Sequence, residues 1–187
     1  MEFLSYLSDL RRLYAEFGES LDESPPAADA ELAAAEEQLG KPMDPGLRAA
    51  WTVANGAAGA GDDYRPIFAR PGYLTPFSFL SVEDALEARA SLRRRAAQYE
   101  DYEDPRPRDL RIRDGWFQEG WLPFAEFDGS TLLISDMSPS RRGVKGQIIG
   151  YVHDPDEIVF VAAGFPELLD ASLETLRQSA HELFEDW

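Results

Sequence analysis

The most restrictive part of the chain runs from Gly120 to Ala163. It holds four short apolar runs, WLPFAEF, STLLISDM, GQIIGYV and EIVFVAA, separated by clusters of turn-forming residues. Runs of this length bounded by Gly, Pro, Asp or Ser read as β-strands. Asp128-Gly129 between the first two is the dipeptide that tight antiparallel hairpins favour. His153-Asp154-Pro155-Asp156 supplies a turn between the last two. The expectation is a four-strand meander, not a series of alternating βαβ units.

Helical signals precede and follow this block. Phe3, Leu7, Leu10, Tyr14 and Phe17 recur at steps of four and three, the spacing of one helix face, and Gly18 supplies a stop. After Pro25-Pro26, Asp29 is expected to cap a second helix with Leu32, Ala35 and Leu39 inward and Gly40 at its end. Asp44-Pro45 opens a third, with Leu47, Trp51 and Ala54 inside and Asn55-Gly56 closing it. The Gly-, Ala- and Pro-rich stretch from Gly56 to Pro76 keeps no period and reads as a long surface loop. Phe77 to Leu80 fits a short strand, and Ser81 with Asp84 forms a capping box for a helix carrying Val82, Ala85, Leu86 and Leu92. A polar segment follows, Arg93-Arg94-Arg95 and then Glu100 to Asp104. Leu169, Leu173, Leu176, Ala180, Leu183 and Trp187 mark one long last helix.

These elements predict an α+β fold, with an antiparallel or mixed sheet of about four to six strands. N-terminal helices and a long C-terminal helix flank it. A chain of 187 residues with 44% hydrophobic content has room for a single domain over residues 1–187 and enough apolar surface to fold it. Within that domain, 1–24 hold an extra helix, 29–169 the core and 170–187 a helical extension.

Charge narrows the function classes. Thirty-five Asp and Glu against eighteen Lys and Arg give a net charge of −17, which disfavours binding to a nucleic-acid backbone or an anionic membrane. The same field attracts a basic partner. No cysteine is present, which removes thiol nucleophiles, disulfides and thiolate metal sites. Ile158 to Phe165, the longest apolar run, is too short to span a bilayer. With Glu2 and Asp9 in place of a basic, then apolar, leader, the expected location is the cytoplasm.

Catalytic patterns are sparse. His153 and His181 are the only histidines, and no phosphate-binding glycine loop or zinc-binding helix motif occurs. Asp128, Asp136, His153 and Asp154 could group around a divalent ion in a metal-dependent hydrolase, but turn and strand-end chemistry explains them equally well. No catalytic residue, cofactor or metal is therefore expected. Trp51 and Trp121 read as core, whereas Trp116, after Asp114-Gly115, is a candidate for a contact surface. The loop carboxylates Asp62, Asp63, Glu100, Asp101, Glu103 and Asp104 are candidates for pairing with a basic partner, with Arg93 to Arg95 offsetting them or bonding within the molecule.

In order, LRAAWTVANG, FLSVEDALEA and the block from WLPFAEFDGS to AAGFPELL resemble the SUKH superfamily, in particular its Smi/Knr type. That type is named for a yeast cell-wall-assembly regulator and is known in bacteria for immunity proteins of polymorphic toxins. The resemblance covers roughly Asp29 to Leu169 and rests on Trp51, Asn55, Gly56, Trp121, Pro123, Asp128, Gly129, Asp136 and Gly146, which it implies are fold-defining. It also implies a non-enzymatic role, with a protein partner that is a toxin domain presenting a basic surface. A scaffold or regulator of cell-envelope or secretion machinery and the metal-dependent hydrolase are the alternatives. The first helix, an insertion-like stretch from Arg93 to Arg113 and the C-terminal extension depart from the family pattern.

Overall fold

The computed structural model describes residues 1–57, 65–72 and 76–185. Two short strands, β1 (Phe68–Ala69) and β2 (Pro76–Phe79), begin a sheet that continues through β3 (Trp121–Phe127), β4 (Thr131–Asp136), β5 (Gln147–Val152) and β6 (Glu157–Ala162). Each strand pairs antiparallel with the next, so spatial order equals chain order. The last four strands lie where the turn-bounded runs placed them. The β3–β4 hairpin turns on Asp128 and Gly129, with φ of 52° and 70°, and Ser130 N–H donates to Phe127 O at 3.3 Å. β1 corrects one expectation, because it lies inside the stretch read as loop from Gly56 to Pro76.

The helices are α1 (Phe3–Glu16), α2 (Asp29–Leu39), α3 (Pro45–Trp51), α4 (Val82–Arg95), α5 (Phe165–Gln178) and α6 (Ala180–Glu185), with a 3₁₀ turn at Ala96–Tyr99 extending α4. Asp44 accepts the Leu47 N–H as N-cap of α3, and Ser81 accepts the Asp84 N–H as N-cap of α4. Asp29, expected as a cap, is instead the first residue inside α2, where with Glu31 it puts negative charge at the positive end of the helix dipole. The C-terminal helix is not continuous: Ser179, at φ −105° and ψ 10°, separates α5 from α6.

Alternation along the strands divides the core between the two faces of the sheet. Leu122, Phe124, Leu133 and Ile148 join α1, α2, α3 and α5 in one cluster, around Phe3, Tyr6, Leu10, Trp51, Phe165 and Leu169. Trp121, Leu132, Ile134, Ile149, Tyr151 and Ile158 join a second cluster covered by Leu92, Tyr99, Ile112, Trp116 and Phe117. An irregularity in the β3–β4 register between Pro123 and Ala125 puts neighbouring Phe124 and Ala125 in the same cluster.

The two edges of the sheet differ. Beside β1, the Tyr6 hydroxyl donates to Ile67 O, the Tyr14 hydroxyl to Pro66 O at 2.8 Å, and Ala69 N–H donates to Ser172 Oγ at 2.8 Å. Side chains of α1 and α5 thus close that edge. No backbone hydrogen bond leaves β6 away from β5 among the described residues.

Candidate functional site

Asn55 organises the region with the strongest case for partner binding. Its Oδ1 accepts the Val82 N–H at 2.9 Å, and its Nδ2 donates to Glu31 Oε1 at 3.1 Å, so one side chain ties the first turn of α2 to the first turn of α4. Gly56 follows at φ +96°, and a Cβ there would stand 2.9 Å from Ser81 N and 3.2 Å from Phe79 O. Only glycine lets the chain leave α3 this close to the start of α4. The Asn-Gly motif therefore sets how α2, α3 and α4 meet.

Between α2 and α4 this arrangement leaves a groove of about 470 Å³ lined by Glu31, Ala34, Ala35, Gln38, Val82, Glu83, Leu86, Glu87 and Ala90. Leu86 is half-buried and contributes to the groove's apolar surface. A neighbouring groove of about 450 Å³, bordered by Asn55, Ser81, Asp84 and Glu126, shares Glu87 with the first. Together the two are lined by five carboxylates, Glu31, Glu83, Asp84, Glu87 and Glu126, and by no Lys or Arg. Glu83 and Glu87 are exposed and make no ion pair among the described residues.

Burial first, and then the charges of Asp84 and Asp128, raise the Glu126 carboxyl above its ordinary range. The native state therefore holds this proton more tightly than the unfolded chain does. Stability falls as pH rises from the unfolded glutamate range through the raised native value. Glu126→Gln abolishes that loss. Thermal midpoints of the two proteins should coincide below about pH 4 and separate in favour of the variant near neutrality; equal midpoints there would contradict the assignment.

The other expected contact residues are dispersed. Asp62 and Asp63 lie outside the described residues. Glu100, Asp101 and Glu103 are exposed beyond the 3₁₀ turn, about 20 Å along the helix direction from Glu87. Asp104 is committed to Arg108, which also donates to the carbonyls of Arg113 and Gly115. Trp116 is corrected: it is 7% exposed, its Nε1 donates to Tyr102 O at 3.2 Å, and its ring packs on Tyr99 and Phe117. It builds the second core cluster and offers no contact surface. Arg93 donates to Phe117 O and Arg95 to the hydroxyls of Tyr99 and Tyr151, so these cations bond within the molecule, away from the acids at 100–104.

The four residues considered for a metal site do not assemble. Asp128 lies in the β3–β4 turn, and His153 follows β5 at that same end, its N–H donating to Ser130 O. Asp136 faces Gln147 at the opposite end of β4, about 16–20 Å away for a six-residue strand. No group of three or more His, Asp or Glu side chains placed to hold a metal ion occurs among the described residues.

Two polar networks serve the fold. Asp136, fully buried, accepts from Ser138 N–H at 2.8 Å and Gln147 Nε2 at 2.9 Å; burial outweighs these bonds and raises its carboxyl above the ordinary range. Asp156 shows the reverse balance. Burial pulls it up, but hydrogen bonds from His153, Tyr151 and Tyr99 prevail and leave it below the usual range. Burial chiefly pushes both tyrosines upward, so they remain protonated donors at the rim of the second cluster.

A family model described as the SMI1 / KNR4 family (SUKH-1) matches residues 26–171. The match takes in Asn55, Gly56 and all five groove carboxylates, and leaves out α1. No match to the chain was found among curated proteins.

Proposed function

Because the chain belongs to the SMI1 / KNR4 family (SUKH-1), we propose that it acts by stoichiometric protein binding, as an immunity protein that neutralises a cognate toxin through its two acidic grooves. The supporting observation is the absence of any cation from the lining of these grooves, together with the unpaired exposed carboxylates of Glu83 and Glu87. A basic helix or loop can place apolar atoms against Ala34, Leu86 and Ala90 while its Lys and Arg meet the rim. Carboxylates already exposed lose little hydration in forming such pairs, and the −17 field speeds encounter. Occlusion of a toxin's active surface requires this complementarity and no catalytic side chain.

The test is affinity capture of the tagged chain at moderate salt from cells that make it, followed by identification of near-stoichiometric partners. A single partner carrying a toxin domain, and survival of cells that co-express it with this chain, is the expected result. Recovery of cell-envelope or secretion components without rescue would replace this reading with a regulatory one. Glu83→Lys with Glu87→Lys should then weaken the toxin complex at least tenfold, about 1.4 kcal/mol, and flatten its salt dependence, with the thermal midpoint unchanged. An unaltered affinity would remove the grooves from the interface.

A further inference from the structure

A group of cations with no acid among them lies on the loop between β4 and β5, which docks on the mixed-charge loop before β3. Seven of the chain's 18 Lys and Arg fall in these two loops: Arg106, Arg108, Arg111, Arg113, Arg141, Arg142 and Lys145. Arg108 and Arg111 are paired with Asp104 and Asp109. Arg141, Arg142 and Lys145 are exposed and form no ion pair or side-chain hydrogen bond among the described residues.

The loops are locked to each other. Ser140 N–H and Gln147 Nε2 both donate to Arg111 O, at 3.0 and 3.1 Å, and Ser140 Oγ donates to Leu110 O. Gly143 packs so closely on Arg111 O that a Cβ at that position would overlap it. Within the β4–β5 loop, Gly143 N–H donates to Ser140 O and Gln147 N–H to Val144 O. The three free cations are therefore held on a preorganised backbone, which lowers the ordering cost of binding. Leu110 and Val144, two of the most exposed large apolar residues at 65% and 61%, sit on these same two loops.

We propose that these docked loops bind a short carboxylate-rich, partly apolar segment of a protein partner, at a surface separate from the acidic grooves. Apolar contacts bordered by charges are how a protein interface is built. A nucleic acid would leave Leu110 and Val144 without apolar partners. Its phosphates would also run beyond the loop into the field of a chain with net charge −17, whereas cations attract a short acidic segment within about 8 Å at physiological salt. The proposal does not depend on the toxin-binding reading, since none of its residues lines the acidic grooves.

The full chain is titrated, by fluorescence anisotropy, into a short labelled peptide of Glu and Leu and, separately, into a labelled single-stranded oligodeoxynucleotide. Salt-sensitive binding of the peptide and none of the oligonucleotide is the expected result. Arg141→Glu with Arg142→Glu and Lys145→Glu should weaken peptide binding about tenfold, and Leu110→Ser with Val144→Ser about threefold without changing the salt slope. Glu83→Lys with Glu87→Lys should not weaken it. Failure of the peptide to bind, indifference to the loop substitutions, or preference for the oligonucleotide would each overturn the proposal.

Discussion

Trp51→Ala should lower the unfolding free energy by about 4 kcal/mol, measured by urea denaturation at neutral pH. Trp51 is fully buried, its Nε1 donates to Leu80 O at 2.9 Å, and its ring stacks on Phe79 at 5.8 Å between centroids. It therefore joins the last turn of α3 to the segment between β2 and α4. Truncation leaves a cavity in the first core cluster and an unpaired carbonyl at Leu80. Trp51→Phe separates the two contributions: most of the packing remains, and a loss of about 1–3 kcal/mol for the orphaned carbonyl and missing ring volume is expected. A loss below 1 kcal/mol for the alanine variant would mean that α3 does not depend on this anchor.

Asp136→Ala is the second large effect, a loss of about 3 kcal/mol. Gln147 Nε2 bonds both Asp136 and Arg111 O, and its Oε1 accepts from Val144 N–H at 3.3 Å. Removing the carboxylate strips acceptors from Ser138 N–H and from the buried Gln147 Nε2. Asp136→Asn keeps one acceptor but sets an amide N–H₂ against the Gln147 amide. Its pH behaviour is diagnostic. Because burial raises the native pKa of Asp136, wild-type stability declines as pH rises from the unfolded aspartate range through the native value, while the Asn variant has no such decline. The gap between the two should therefore be widest in acid and narrow toward neutrality. A gap that widens with pH would mean that the hydrogen bonds, and not burial, dominate at this carboxylate.

What could be read in advance follows from the range of the interactions involved. β3 to β6, the Asp128-Gly129 hairpin, and the Asp44 and Ser81 caps depend on residues within a few positions of one another, and each lies where its local pattern placed it. β1 was not legible because two residues carry no periodicity; Phe68 becomes a strand only through pairing with Phe77. Trp116 was misjudged because Tyr99 and Tyr151 reach it from two distant segments and join its neighbour Phe117 around the ring. The break at Ser179 leaves the apolar spacing of the last helix intact, so spacing could not reveal it. The acidic grooves were also hidden: Glu31 and Glu87 line one groove because Asn55 ties the start of α2 to the start of α4, and its motif is visible in the chain but its two hydrogen bonds are not.

The sealing of β1 gives α1 a meaning that its position outside the family match would not suggest. Tyr6 and Tyr14 occupy the carbonyls of Ile67 and Pro66, and Phe3 and Tyr6 pack against Phe68. A chain trimmed to the family core would carry a bare strand margin and an uncovered aromatic row, the combination that lets one molecule add to the next without limit. α1 thus closes this side of the sheet, and a chain without it is expected to self-associate at concentrations where the full chain does not.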